Sequence, residues 1–247
     1  MRVPRVYIEP NQANLSAASN SSLNLEGQTA HYLLKVLRLS VGREIVLFDG
    51  QGTEAQAIIS SAQKNTLTIT VEQVERISKE SSLYTHLGIG VSRGERFDWV
   101  LQKATELGVN EITPLLTERV EVKIKPDRAD KKYSHWQQII ISACEQCQRN
   151  TLPILHDPLP IEKWLESNNS ARKFVLDHRG TTADLSAQKP ESLSLLVGPE
   201  GGLSESEIAL AIEHNFQSMQ LGPRVLRTET APIAALSVLQ YCWGDFG

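Results

Sequence analysis

Apolar side chains recur at Phe97, Val100, Leu101, Ala104 and Leu107, a spacing of i, i+3, i+4, i+7 and i+10 that puts all five on one face of a helix. Gly108 follows as a terminating glycine. Around this helix the apolar runs 87–91, 111–116, 173–176 and 193–197 predict strands. Helical patterns at 130–149, 161–166, 204–214 and 230–243 alternate with them. Strands that alternate with helices predict a mostly parallel sheet covered by helices. The first third of the chain has a different pattern. Short β-prone runs at 5–8, 44–48, 55–59 and 66–74 are separated by turn residues such as Asp49, Gly50 and Gly52, with one helical stretch at 29–39. Many short strands with tight turns predict a small β-barrel. The polar, serine-rich stretch 77–83 reads as a linker. The expectation is therefore two domains, 1–76 and 84–247.

A chain of 247 residues has room for two cores, and its 40% hydrophobic and 22% charged residues are those of an ordinary globular protein. No run approaches the roughly 18 consecutive apolar residues of a membrane-spanning helix. The first ten residues lack the apolar core of a secretory signal. The expected location is the cytoplasm, with no membrane partner. Three cysteines cannot build a disulfide framework. Cys144 and Cys147 form a C-x-x-C, but within a helix that spacing places both on one packed face, and no second ligand pair stands at metal spacing. No metal is expected. The net charge of −4 gives no support to nucleic-acid binding by the chain as a whole. An RNA surface would have to be local, and the densest basic strip runs through Arg119, Lys123, Lys125, Arg128, Lys131 and Lys132. A solvated loop would look the same.

Chemistry concentrates in the last third. Leu195, Leu196 and Val197 run into Gly198, Pro199, Glu200, Gly201 and Gly202, and then into a helix whose Ser204 and Glu207 have capping-box spacing. Glycines let backbone approach a ligand closely, and ligands of open α/β sheets sit beyond the carboxyl ends of strands. The pattern matches neither a phosphate loop nor a dinucleotide fingerprint. A second segment, from Leu221 and Gly222 through Arg224, Leu226, Arg227, Thr228 and Glu229, leads into the last helix. Two arginines and a glutamate there could serve an anion and a base, or could be solvated charges. At the end of the long helix, Glu145 and Arg149 stand four residues apart, which suits a simple surface pair.

Together these segments resemble the RsmE family of 16S rRNA uridine N3-methyltransferases, within the SPOUT superfamily, over essentially the whole chain. Besides the two glycine segments, the resemblance rests on Arg2 to Arg5, on His31, Tyr32 and Leu33 with Val36, Leu37 and Arg38, and on Phe48, Asp49 and Gly50. It also rests on the run from Lys103 to Val109 and on Ala143 to Gln146. The resemblance implies an N-terminal PUA-like β-barrel, a C-terminal α/β domain with a trefoil knot, and a homodimer. Its implied cofactor is S-adenosylmethionine, held by Leu176, Leu196, Gly198, Glu200, Gly201, Gly202, Leu221, Gly222, Leu226 and Thr228. Its implied substrate is a uridine in the decoding region, on 16S rRNA or the assembled small subunit. Arg2, Arg5, Arg38, Lys123, Arg149 and Arg224 are the expected RNA contacts. Uracil N3 carries a proton and is a poor nucleophile until that proton leaves, so the reaction needs a base or a cation that stabilises the anion. Glu229 is the first candidate base, Arg227 the candidate for anion stabilisation, and Glu200 the second base. The alternatives are a ribose 2′-O-methylase of the same superfamily and a non-catalytic RNA-binding module.

Overall fold

A computed structural model describes residues 3–64, 66–120, 126–181 and 183–247, with the side chains of Gln28 and of 126–128 left aside. Arg2 and Lys123, two of the expected RNA contacts, lie outside the described residues. The chain divides into two compact units, residues 1–80 with 144–152, and residues 81–143 with 153–247.

In the first unit, β1 (Arg5–Tyr7), β2 (Ser22–Glu26), β3 (Glu44–Phe48), β4 (Thr53–Ala62) and β5 (Thr66–Arg76) form one sheet in the order β1-β3-β4-β5-β2. β1 lies parallel to β3 and the other pairs are antiparallel. Alternation drives it: Ala55, Ala57 and Ile59 of β4 and Leu67, Ile69 and Val71 of β5 are buried. They meet Val6, Leu25, Ile45 and Leu47 in one core. The helix predicted at 29–39 is shorter and wider than its pattern suggested. A helix, α1 (Gly27–His31), passes into a widened turn over Tyr32–Val36, where Leu37 N–H bonds Tyr32 C=O, and ends on Arg38 in the left-handed region at φ 53°. Hydrophobic spacing cannot distinguish these two helical windings.

The second unit contains β6 (Tyr84–Gly90), α2 (Glu95–Glu106), β7 (Glu111–Leu116), α3 (Pro126–Cys147), β8 (Ile154–Leu155), β9 (Leu159–Pro160), α4 (Ile161–Ser167), β10 (Arg172–Leu176), β11 (Ser192–Val197), α5 (Glu205–Glu213), β12 (Gln217–Met219) and α6 (Thr230–Trp243). Its strands are ordered β12-β10-β11-β6-β7-β8, with β9 beside β7, and every pairing is parallel. Strands buried on both faces read as continuous apolar runs. Successive residues of β10 show why. Phe174 stacks on Trp243 of α6, while Val175 joins Trp164 of α4 and Ala211 of α5 in a second core. None of the helices among the described residues is long and apolar enough to cross a membrane.

One boundary differs from the expectation of 84–247 as a single stretch. Residues 144–152, the last turn of α3 and the loop after it, group with the first unit. The cause is a set of polar contacts. Gly52 N–H bonds Asn150 C=O, Asn150 Nδ2 donates to Ile77 C=O, Tyr7 N–H bonds the Glu145 carboxylate, and Gln51 bridges Thr151.

Candidate active site

The parallel sheet sends β10, β11 and β12, adjacent in the order β12-β10-β11, toward the same edge. The three loops that follow them converge. Between them lies a cavity of about 280 Å³, open to solvent. Leu176, Asp177, His178 and Arg179 come from the first loop, Gly198, Glu200, Gly201 and Gly202 from the second, and Leu221, Gly222, Arg224, Leu226 and Thr228 from the third. This is where ligands of open α/β sheets are bound.

The glycine turn is held open by its neighbours. Its helix begins with the expected reciprocal cap: Ser204 Oγ accepts from Glu207 N–H at 3.3 Å, and Ser204 N–H donates to Glu207 at 2.8 Å. The other carboxylate oxygen of Glu207 accepts from Glu118 N–H at 2.8 Å. Gly202 N–H bonds Pro199 C=O at 2.8 Å, and Gly202 sits at φ +68°, where a side chain would be strained. A Cβ on Gly198 would lie 2.7 Å from Leu203 N and 2.9 Å from Gly202 C, both backbone atoms. Leu176, Leu221, Leu226, Ile208 and Met219 supply apolar wall around these backbone groups. Apolar walls with a few convergent polar groups are the chemistry of a cofactor pocket.

The sequence-predicted residues separate into distinct places. Of the expected cofactor set, all but Leu196 line the cavity. Leu196 is fully buried in the core between the sheet, α4 and α5, because alternation along β11 turns it away from the loops. Arg227 and Glu229 belong to the third loop but are not on the cavity wall. Arg227 is exposed, and Glu229 is half-buried at the start of α6 without a capping bond from its side chain. Glu200 is on the wall and already engaged, accepting from Arg93 N–H at 2.8 Å and from Arg96 at 3.3 Å. Partial burial acts to raise its pKa, but these bonds and its own N–H outweigh it and hold the carboxyl below its ordinary value. A carboxylate held ionised this way is a weaker base and a better clamp.

Two expected RNA contacts are corrected by the structure. Arg149 is buried and forms a two-pronged pair with Glu80, including Nε to Oε1 at 3.1 Å. Arg5, its side chain only 6% exposed, donates to Glu54 at 3.0 Å and also to Asn150. Both guanidinium groups are spent inside the first unit, so neither is presented to a phosphate. Arg38 and Arg224 are exposed. Arg119, read from sequence as the start of a basic strip, instead lines the cavity and donates to Gly201 C=O at 2.9 Å and Leu203 C=O at 3.4 Å. Asp177, in the first of the three loops, also lines the wall. It accepts from Arg179 N–H at 3.0 Å and from its guanidinium at 3.2 Å. The cysteine pair behaves as packing: Cys144 is a buried free thiol, and its hydrogen bond with Cys147, together with burial, pushes its pKa up, away from the reactive thiolate.

Residues 79–240 match the RNA methyltransferase domain family, and residues 25–72 match the RNA methyltransferase PUA domain family. The ribosomal RNA small subunit methyltransferase E of Buchnera aphidicola subsp. Schizaphis graminum is 36% identical over 99% of this chain and 98% of its own length. The chain belongs to the ribosomal RNA small subunit methyltransferase E family. The Bacillus subtilis member is 31% identical over 96% of each chain. Among solved structures, the family member from Neisseria gonorrhoeae, bound to S-adenosyl methionine, superposes with a TM-score of 0.90 at 35% identity over the full length of both chains. A putative methyltransferase from Legionella pneumophila, in complex with the same cofactor, superposes with a TM-score of 0.93 at 39% identity, again over both full chains.

Proposed function

We propose that this protein transfers a methyl group from S-adenosylmethionine to ring nitrogen 3 of a uridine in the decoding region of 16S rRNA. The observation that carries the reading is the three-loop cavity with its glycine turn, in a chain of the methyltransferase E family whose structural relatives are crystallised with that cofactor. The cavity fits the group. Leu176, Leu221 and Leu226 suit the faces of an adenine, and the turn at 198–202 presents backbone where a Cβ on Gly198 would intrude. When bound, the cofactor supplies an activated methyl on a sulfonium, so no metal is required for the transfer.

The chain's own residues then have three tasks. The clamp from Arg93 and Arg96 onto Glu200, and that from Arg119 onto Gly201 and Leu203, fix the glycine turn. Arg224, exposed at the rim, suits a phosphate or the uracil carbonyls. Glu229 takes the N3 proton and Arg227 stabilises the anion, both from the third loop and off the cavity wall. Glu200 is the second choice for the base, with its clamp against it. Arg38 and Arg224 remain the described RNA contacts. The reading includes a trefoil knot in the C-terminal unit, a homodimer, and a cytoplasmic location with the ribosome.

The test is methyl transfer from labelled cofactor to naked 16S rRNA and to assembled small subunits, followed by nucleoside analysis. 3-Methyluridine supports the proposal. A 2′-O-methyl nucleoside assigns the ribose alternative, and no transfer to either RNA leaves a binding module.

A further inference from the structure

In the same sheet, at the amino-terminal ends of β6 and β7, three side chains far apart in sequence come together. His86 on β6 and Glu111 on β7 are partners in the parallel ladder. His156 follows β8, with its N–H bonded to Ile112 C=O of β7 at 2.9 Å. Glu111 Oε2 is 2.5 Å from His156 Nε2 and 3.9 Å from His86 Nδ1. One nitrogen from each imidazole and a carboxylate oxygen all lie within 4.8 Å of one another. We propose that His86, Glu111 and His156 form a binding site for one zinc-class divalent cation, which staples the β6–β7–β8 edge of the sheet.

The surroundings are those of a supported metal site. Ligating carboxylates and imidazoles are held by outer partners. Here Tyr84 Oη donates to the second carboxylate oxygen of Glu111 at 2.6 Å, and His86 Nε2 lies 2.8 Å from Thr113 Oγ1. The Trp164 ring stands edge-on to His86 with centroids 5.3 Å apart and walls the site. Two imidazoles and one carboxylate select zinc-like ions over magnesium or calcium, which prefer all-oxygen shells. Three protein ligands leave a fourth position to water. Coordination through Nδ1 puts the ring proton on Nε2, which then donates to Thr113 Oγ1. The Trp164 indole N–H, 3.2 Å from that nitrogen, loses it as an acceptor, so ion binding is coupled to a tryptophan.

The experiment uses the untagged full-length chain, freed of metal by chelator dialysis and titrated with zinc chloride by calorimetry, with tryptophan emission followed in parallel. The expected result is one zinc per chain with an emission change at the same equivalence point. Removing an outer partner of a metal site weakens binding by about 10–100-fold, so loss of a ligand in Glu111→Gln or His156→Ala should weaken it by at least about 100-fold. His135→Ala, at an exposed surface pair with Asp98, should bind as wild type. His156 is the most exposed of the three, so its variant carries the test if Glu111→Gln does not fold. No zinc uptake by the wild-type chain, or uptake unchanged in His156→Ala, overturns the proposal and leaves the cluster as a hydrogen-bonded network only.

Discussion

Substituting Gly198 by alanine adds one methyl group at a tight point of the glycine turn proposed to cradle the cofactor. The new Cβ would stand 2.7 Å from Leu203 N, 2.9 Å from Gly202 C and 3.1 Å from Gly202 Cα. Ordinary contact begins near 3.4 Å, so the turn must open by roughly half an ångström or more, and every obstructing atom is backbone that no rotamer change can move. Opening the turn stretches the Gly202–Pro199 bond and the two Arg119 bonds described above. Overpacking of this kind costs about 1–3 kcal/mol. If the strain is relieved by displacing the turn, the same amount is lost from binding, about 5–150-fold in Kd at 1.4 kcal/mol per decade. Calorimetric titration with S-adenosylmethionine measures it, and a thermal melt reports how much strain stays in the fold. Gly201 is the weaker target, because its Cβ would meet nothing nearer than Arg119 Cβ at 3.1 Å, against 2.7 Å at Gly198. Gly202→Ala is the control. Nothing lies within 4 Å of its Cβ, so its cost is the left-handed backbone alone, about 1–2 kcal/mol of stability. A folded Gly198→Ala protein that binds the cofactor within about twofold of wild type would refute the placement of the cradle.

Glu229→Gln should slow single-turnover methylation by about 100-fold or more, with partial rescue at alkaline pH where more uracil ionises; a wild-type rate at every pH moves the base to Glu200. Arg38→Glu should weaken 16S rRNA binding and flatten its dependence on salt, read from filter binding across a salt series, while cofactor affinity holds. Arg149→Ala should instead act on stability, by about 3–5 kcal/mol in chemical denaturation, because it leaves Glu80 without its buried partner. Glu54 supplies a pH prediction. Burial alone would raise its pKa, but Arg5 and Asn150 together lower it below its ordinary value. A depressed carboxyl stabilises the fold above the unfolded pKa of about 4.3 and loses that contribution as pH falls through the folded value. Glu54→Gln should therefore flatten the acid limb of a stability–pH curve between about pH 5 and 3.

What the sequence reveals depends on how far apart the interacting groups are. α2, the Ser204–Glu207 cap and α6 were legible because periodicity, capping and glycine termination act within one or two turns. The three-loop cavity was legible through its glycines and the strands before them. Leu196 was misplaced because an all-apolar strand gives no hint of which face each residue takes. Arg5 and Arg149 were expected at RNA, and Arg149 beside Glu145, because their partners Asn150 and Glu80 are 145 and 69 residues away. Likewise, nothing local connects His86, Glu111 and His156, which only the ladder β6–β7–β8 assembles. Arg119 declared its charge but not its direction, toward the glycine turn.

The return of residues 144–152 to the first unit sets a schedule for the chain as it is made. When residue 80 leaves the ribosome, the N-terminal sheet exists in sequence but lacks Asn150, which caps Gly52 and Ile77, and Arg149, which neutralises Glu80. About seventy more residues, two strands and two helices, must emerge before that sheet can satisfy its own polar groups. A gene fragment cut at the apparent linker would encode a unit with a buried arginine, Arg5, missing half its partners. Transplanting the N-terminal unit onto another enzyme would therefore require carrying the 144–152 segment along with it.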